Sequence, residues 1–100
     1  MELTVDFEAE LIEQIRNDQT FTNILLDELD ELISEGEREP AQGMLRVLIT
    51  ATVGFDTLAK SLATSSLSLQ YMLSQKISPD TASLKVMTKA LKLALRVAAS

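Results

Sequence analysis

The stretch from Gly54 to Gln75, GFDTLAKSLATSSLSLQYMLSQ, decides the fold. Leu58 and Leu62 lie four apart and anchor one short helix, from Asp56 to about Leu62. Ser65 has the hydroxyl that an N-cap needs, and the helix it opens turns Leu69 and Met72 back toward the first. Ala59 is the small residue at which the two helices can cross closely, and the turn between them carries Ala63 and Thr64. Two short helices with this spacing are a helix-turn-helix unit.

Outward from this unit the chain continues as helix. Apolar residues recur at spacings of three and four throughout, no stretch alternates over the length of a strand, and three Gly and two Pro leave few breaks. Asp6 can cap a first helix to about Arg16, with Phe7, Leu11 and Ile15 on one stripe and Ile12 beside it. Asn17-Asp18-Gln19-Thr20 is read as its end. A second helix, Phe21 to Ser34, puts Phe21, Ile24, Leu25, Leu29, Leu32 and Ile33 inside and Asp27, Glu28, Asp30, Glu31 and Glu35 outside, and Gly36 stops it. Pro40 opens a third helix to about Thr52, with Met44, Leu45, Leu48 and Ile49 inward, closed by Gly54. Ser78-Pro79-Asp80 starts a last helix to about Val97, in which Leu84, Met87, Leu91 and Leu95 face inward and Lys85, Lys89, Lys92 and Arg96 lie on the other side. The fold expected is an all-α bundle of five or six helices containing a helix-turn-helix, one domain over residues 1–100. No internal repeat or long linker divides it.

Charge is sorted along the chain. Residues 1–43 hold thirteen Asp/Glu against Arg16 and Arg38, a balance of −11. Residues 44–100 hold seven Lys/Arg against Asp56 and Asp80, a balance of +5, which leaves −6 for the whole. A partner meets the local field, screened beyond roughly 8–10 Å, so two surfaces of opposite sign are expected. The basic one suits nucleic acid and the acidic one a basic protein. Without Cys or His the chain lacks thiolate chemistry and the commonest general base and metal ligand, so no catalytic site and no cofactor are expected. No apolar run approaches the roughly 18–20 residues of a membrane span, and Met1 precedes Glu2 rather than a basic segment, so the expectation is a cytoplasmic protein with no membrane partner.

On the second helix of the helix-turn-helix, Ser65, Ser66, Leu67, Gln70, Tyr71 and Ser74 line the outer side. Ser and Gln bond base edges or phosphates, Gln suits adenine, and Leu67 can meet a thymine methyl. None of these residues is a cation, so phosphate attraction must come from Lys60, Lys76, Lys85 and Lys89. So few contacts point to a dimer reading two half-sites of double-stranded DNA. Asp27, Glu28, Asp30 and Glu31 are the candidate residues for a basic protein partner.

The runs Gly54-Phe55-Asp56-Thr57-Leu58-Ala59 and Ser68-Leu69-Gln70-Tyr71-Met72-Leu73, with Pro79 before a Lys-bearing last helix, resemble addiction-module antidote proteins with a lambda-repressor-like DNA-binding domain. The segment LLDELDELISEG before the motif is similar as well, so the resemblance covers roughly residues 21–97. It implies an antitoxin that binds its operator as a repressor and neutralises a basic, ribonuclease-type toxin. The chain departs from the family pattern at Ala63 and Thr64, where Gly and an aliphatic residue are usual, and in residues 75–78, where Gly-Asn-Pro is frequent. Two other readings compete: an acidic helical protein-interaction module without specific DNA binding, and an enzyme or cation site using the carboxylates Asp27 to Glu31. The second lacks any supporting motif elsewhere in the chain.

Overall fold

The computed structural model describes residues 5–74, 77 and 79–99, and among them finds six helices and no strand. They are α1 (Val5–Asn17), α2 (Gln19–Ser34), α3 (Arg38–Ala51), α4 (Phe55–Ser61), α5 (Ser66–Met72) and α6 (Thr81–Ala99). The central element is α3, which packs on α1, α2, α4 and α6, while α5 rests on α4. Burial explains that position. Ala41, Leu45, Val47, Leu48, Ile49 and Ala51 of α3 are all buried, and they meet Ile15 of α1, Leu29 and Ile33 of α2, Leu58 of α4, Leu69 of α5 and Leu84, Met87 and Leu91 of α6 in one cluster. No helix among the described residues is long and apolar enough to cross a membrane.

Several boundaries differ from the sequence expectation, each for a local reason. The stretch Asn17-Asp18-Gln19-Thr20 is not a loop, because α2 begins at Gln19 and only Asp18 separates it from α1. The Asp18 carboxylate accepts the Phe21 N–H at 3.0 Å, and the buried Thr22 hydroxyl donates to Ile15 O at 2.9 Å, so the kink satisfies its own backbone groups. Ile24 is 57% exposed rather than inward, and Leu26 is packed instead. On a helix Ile24 lies about 140° from the face centred on Leu29. Helix α3 starts at Arg38, which places Pro40 at the third helical position, still within the turn whose N–H groups need no intrahelical partner. Helix α6 starts at Thr81 with Asp80 as its cap, accepting the Ser83 N–H at 2.8 Å. Ser78, the expected cap, lies outside the described residues. The Ser83 backbone N–H, then its hydroxyl, and to a lesser degree Arg38 hold the Asp80 carboxyl below its ordinary value. Its support of α6 is therefore present above the ordinary carboxylate pKa and is lost as pH falls through the lowered one.

Two helices end in the same motif with different residues. After α2, Gly36 at φ +78° donates to Ile33 O, and Glu37 N–H reaches back to Leu32 O. After α4, Ala63 donates to Lys60 O and Thr64 N–H reaches Ala59 O, with Ala63 at φ +54°. Both are Schellman closures, which need a left-handed residue, and glycine adopts that conformation without penalty. A side chain there costs about 1–2 kcal/mol, partly offset by the greater freedom that glycine gives the unfolded chain. Ala63→Gly should therefore stabilise the protein by about 0.5–1 kcal/mol, raising the thermal midpoint by a few degrees. A lower midpoint in a calorimetric scan would mean that the turn is not left-handed.

Candidate nucleic-acid interface

A seven-residue helix has almost no stability of its own, so α5 depends on what holds it. Ser65 caps its start, accepting the Ser68 N–H at 3.1 Å. Leu69, and Leu73 just beyond the last turn, are fully buried, with Met72 half-buried beside them, and Ala59 is buried in α4. Its far end is held by a residue that sequence reasoning missed. Gln42, buried in α3, points its Nε2 at three carbonyl oxygens: Met72 at 3.0 Å, Ser74 at 2.6 Å and Ile77 at 3.1 Å. An amide nitrogen is thus the donor at the electronegative end of α5, where carbonyls otherwise lack partners. The signal was present, since Gln42 sits at i, i+3, i+7 with Leu45 and Ile49, a polar residue on the inner stripe of α3.

Held this way, α5 turns outward the residues singled out from sequence. Leu67 is 79% and Tyr71 55% exposed, Gln70 is exposed and Ser66 half-exposed. Gln70 Nε2 donates to Ser66 Oγ at 3.0 Å, so these two side chains already form a pair one turn apart. Ser65 is engaged as the cap and also bonds Ser68 Oγ at 2.9 Å. Ser74 is half-buried, its hydroxyl donating to Tyr71 O at 2.7 Å and its carbonyl accepting from Gln42. It closes α5 rather than extending the outer face. Lys60 is exposed on α4, and Lys85 and Lys89 are exposed on α6. Lys76 lies outside the described residues.

Charge sorting along the chain becomes a partly interleaved surface in space. Arg46 forms an ion pair with Glu8 at 2.8 Å, in a depression that Gln70 also lines. Lys92 is paired with Asp30 across α2 and α6. Asp30 therefore faces α6, leaving Asp27, Glu28 and Glu31 exposed on the outer side of α2. Arg16 reaches the carbonyls of Ala51 and Thr50 at 3.4 Å each, a cation at the carboxyl end of α3. Among the described residues no three carboxylates converge as a cation site would require. No protein-family model, curated protein or solved structure matches this chain.

Proposed function

We propose that the chain is a DNA-binding transcriptional regulator, the antitoxin of a toxin–antitoxin module, in which α5 reads the major groove of its own operator and the outer face of α2 receives a basic protein. The observation that carries this reading is the construction of α5. A helix too short to stand alone is capped, docked through Leu69 and Leu73 and held at its end by Gln42, so that Ser66, Leu67, Gln70 and Tyr71 are presented outward. Rigid presentation of a few side chains is what base readout demands. Gln70 and Ser66 supply hydrogen-bonding groups for base edges, Leu67 an apolar contact for a thymine methyl, and Lys60, Lys85 and Lys89 the attraction to phosphate. The exposed carboxylates Asp27, Glu28 and Glu31 repel one another, and a basic partner would relieve that repulsion.

A second reading has its own support. The outer face of α5 bears no cation and exposes Leu67 and Tyr71, a composition that also suits a protein partner. One experiment separates the two: gel shift on the DNA upstream of the coding sequence, alone and with the product of the adjacent reading frame. A specific complex is expected. Gln70→Ala should weaken it by about 1–3 kcal/mol at one base pair only, whereas Lys85→Ala should weaken all sequences alike and flatten the salt dependence. Absence of a specific complex at low salt, with and without the adjacent product, would leave the protein-interaction reading standing.

A further inference from the structure

The outer side of α6 carries an apolar stripe that the six-helix packing leaves largely open, only its Ala90 touching the core. Val86 is 57%, Leu93 61% and Val97 70% exposed, with Ala90 half-buried between them. These positions are spaced four, three and four, the d-a-d-a register of a coiled-coil seam, and they lie on the side of the helix opposite Leu84, Met87 and Leu91. The helix thus has two apolar faces and only one is filled. Among the other described residues the large exposed apolar side chains are Ile24, which stands alone, and Leu67 and Tyr71 on α5. Shallow depressions border the stripe at both ends. One, of about 410 Å³, lies between Val86 and the side chains of Leu62 and Met72. The other, of about 340 Å³, lies between Leu93 and Val97 and the α4 residues Thr57 and Ser61.

We propose that this stripe is a self-association surface, through which two copies of the chain pair α6 against α6 in parallel about a two-fold axis. A heptad seam is self-complementary, so a second copy offers the matching register without any further surface. The flanks choose the orientation. Lys89 and Arg96 lie on one side of the seam, and Ser83 and Ala94, with Thr57 and Ser61 of α4 beyond, lie on the other. Antiparallel pairing would set each basic flank against its own copy, whereas parallel pairing sets it against the uncharged flank. The same cations disfavour a basic protein here. The helix is about 28 Å long, and a seam of this length with its bordering depressions buries on the order of 1,000 Å² in total, the lower end of specific interfaces. Association through an interface of this size should be concentration-dependent. The pairing would supply the two-fold that reading two half-sites requires, but it rests on no property of the DNA face.

The test is sedimentation velocity without DNA, over protein concentrations from about 1 to 300 μM. Wild type should pass from monomer to dimer, and Leu93→Glu should raise the dissociation constant at least about 100-fold by placing a charge in the seam. Because Leu93 is mostly exposed, the circular dichroism and melting of dilute Leu93→Glu should match those of the wild-type monomer. The chain has no cysteine, so Val86→Cys introduces a single thiol, which should oxidise to a disulfide-linked dimer only if the two Val86 positions meet, as parallel pairing requires. A wild type that stays monomeric throughout, or a dimer equally tight in Leu93→Glu, would overturn the proposal. A seam-dependent dimer whose Val86→Cys form does not cross-link would overturn its parallel arrangement. Failure of the DNA reading would instead show as a missing gel shift with the sizing result intact.

Discussion

Gln42→Glu is expected to lower the unfolding free energy by about 3–5 kcal/mol at neutral pH, although it exchanges one nitrogen for an oxygen and changes the volume little. The wild-type amide is buried and directs its NH2 at three carbonyl oxygens, the shortest contact being 2.6 Å to Ser74. A carboxylate there is acceptor-only, so it would point negative charge at three partial negative charges in a site shielded from water. The end of α5 and the chain to Ile77 would lose their common donor at the same time. Gln42→Leu removes the donor without adding charge, so it should cost less, about 1–3 kcal/mol for carbonyls left without a partner.

The two variants should also differ in how they respond to pH. Burial among carbonyls raises the folded-state pKa of a glutamate at position 42 above its unfolded value of about 4.3. The folded state then holds the proton more tightly, so the stability this group contributes is fully present below the unfolded pKa and is lost as pH rises through the folded one. The deficit of Gln42→Glu relative to Gln42→Leu should therefore shrink in acid and grow toward neutrality. Urea unfolding of both variants from pH 4 to 7.5 measures it. A difference independent of pH would show that residue 42 does not face the carbonyls.

Most of the helical architecture was legible because each helix announces its inner face by spacing. Leu45, Leu48 and Ile49, or Leu84, Met87 and Leu91, are found buried where periodicity put them. What spacing could not reveal is where a single residue suffices to change direction. Four polar residues after Arg16 read as a loop, but the Asp18 cap and the Thr22 hydroxyl complete the turn between them, so helix resumes at once. Ile24 reads as inward because it follows Phe21 at helical spacing, and only the rotation of α2 fixed by Leu29 and Ile33 excludes it. At the candidate site, the outward residues of α5 followed from its register, whereas the dependence of α5 on Gln42 involves contacts 30 to 35 positions away along the chain. Likewise, the pairing of Asp30 with Lys92 spans 62 positions and divides an acidic run that looked uniform in sequence.

Leu69→Ala and Leu67→Ala should part company sharply, though the two residues are separated by one position. Leu69 is fully buried and Leu67 is 79% exposed. Two positions along a helix turn the side chain by about 200°, so a residue that docks α5 and one that projects from it must alternate this way. Leu69→Ala removes buried methyl groups from a contact that a seven-residue helix cannot replace, and should cost about 2–5 kcal/mol, as should Leu58→Ala on the facing helix. Leu67→Ala should change stability by no more than about 0.5 kcal/mol, as expected of an exposed side chain outside any cap or network. Chemical denaturation of the three variants decides between the two possible rotations of α5. Stability lost with Leu67 and retained without Leu69 would turn the helix over, bury Gln70 and Tyr71 in place of the core leucines, and remove the outward face on which the proposed reading of DNA depends. The predicted order also implies a functional contrast: Leu67→Ala should weaken specific DNA binding in a fully folded protein, whereas Leu69→Ala should weaken it only as far as it releases α5.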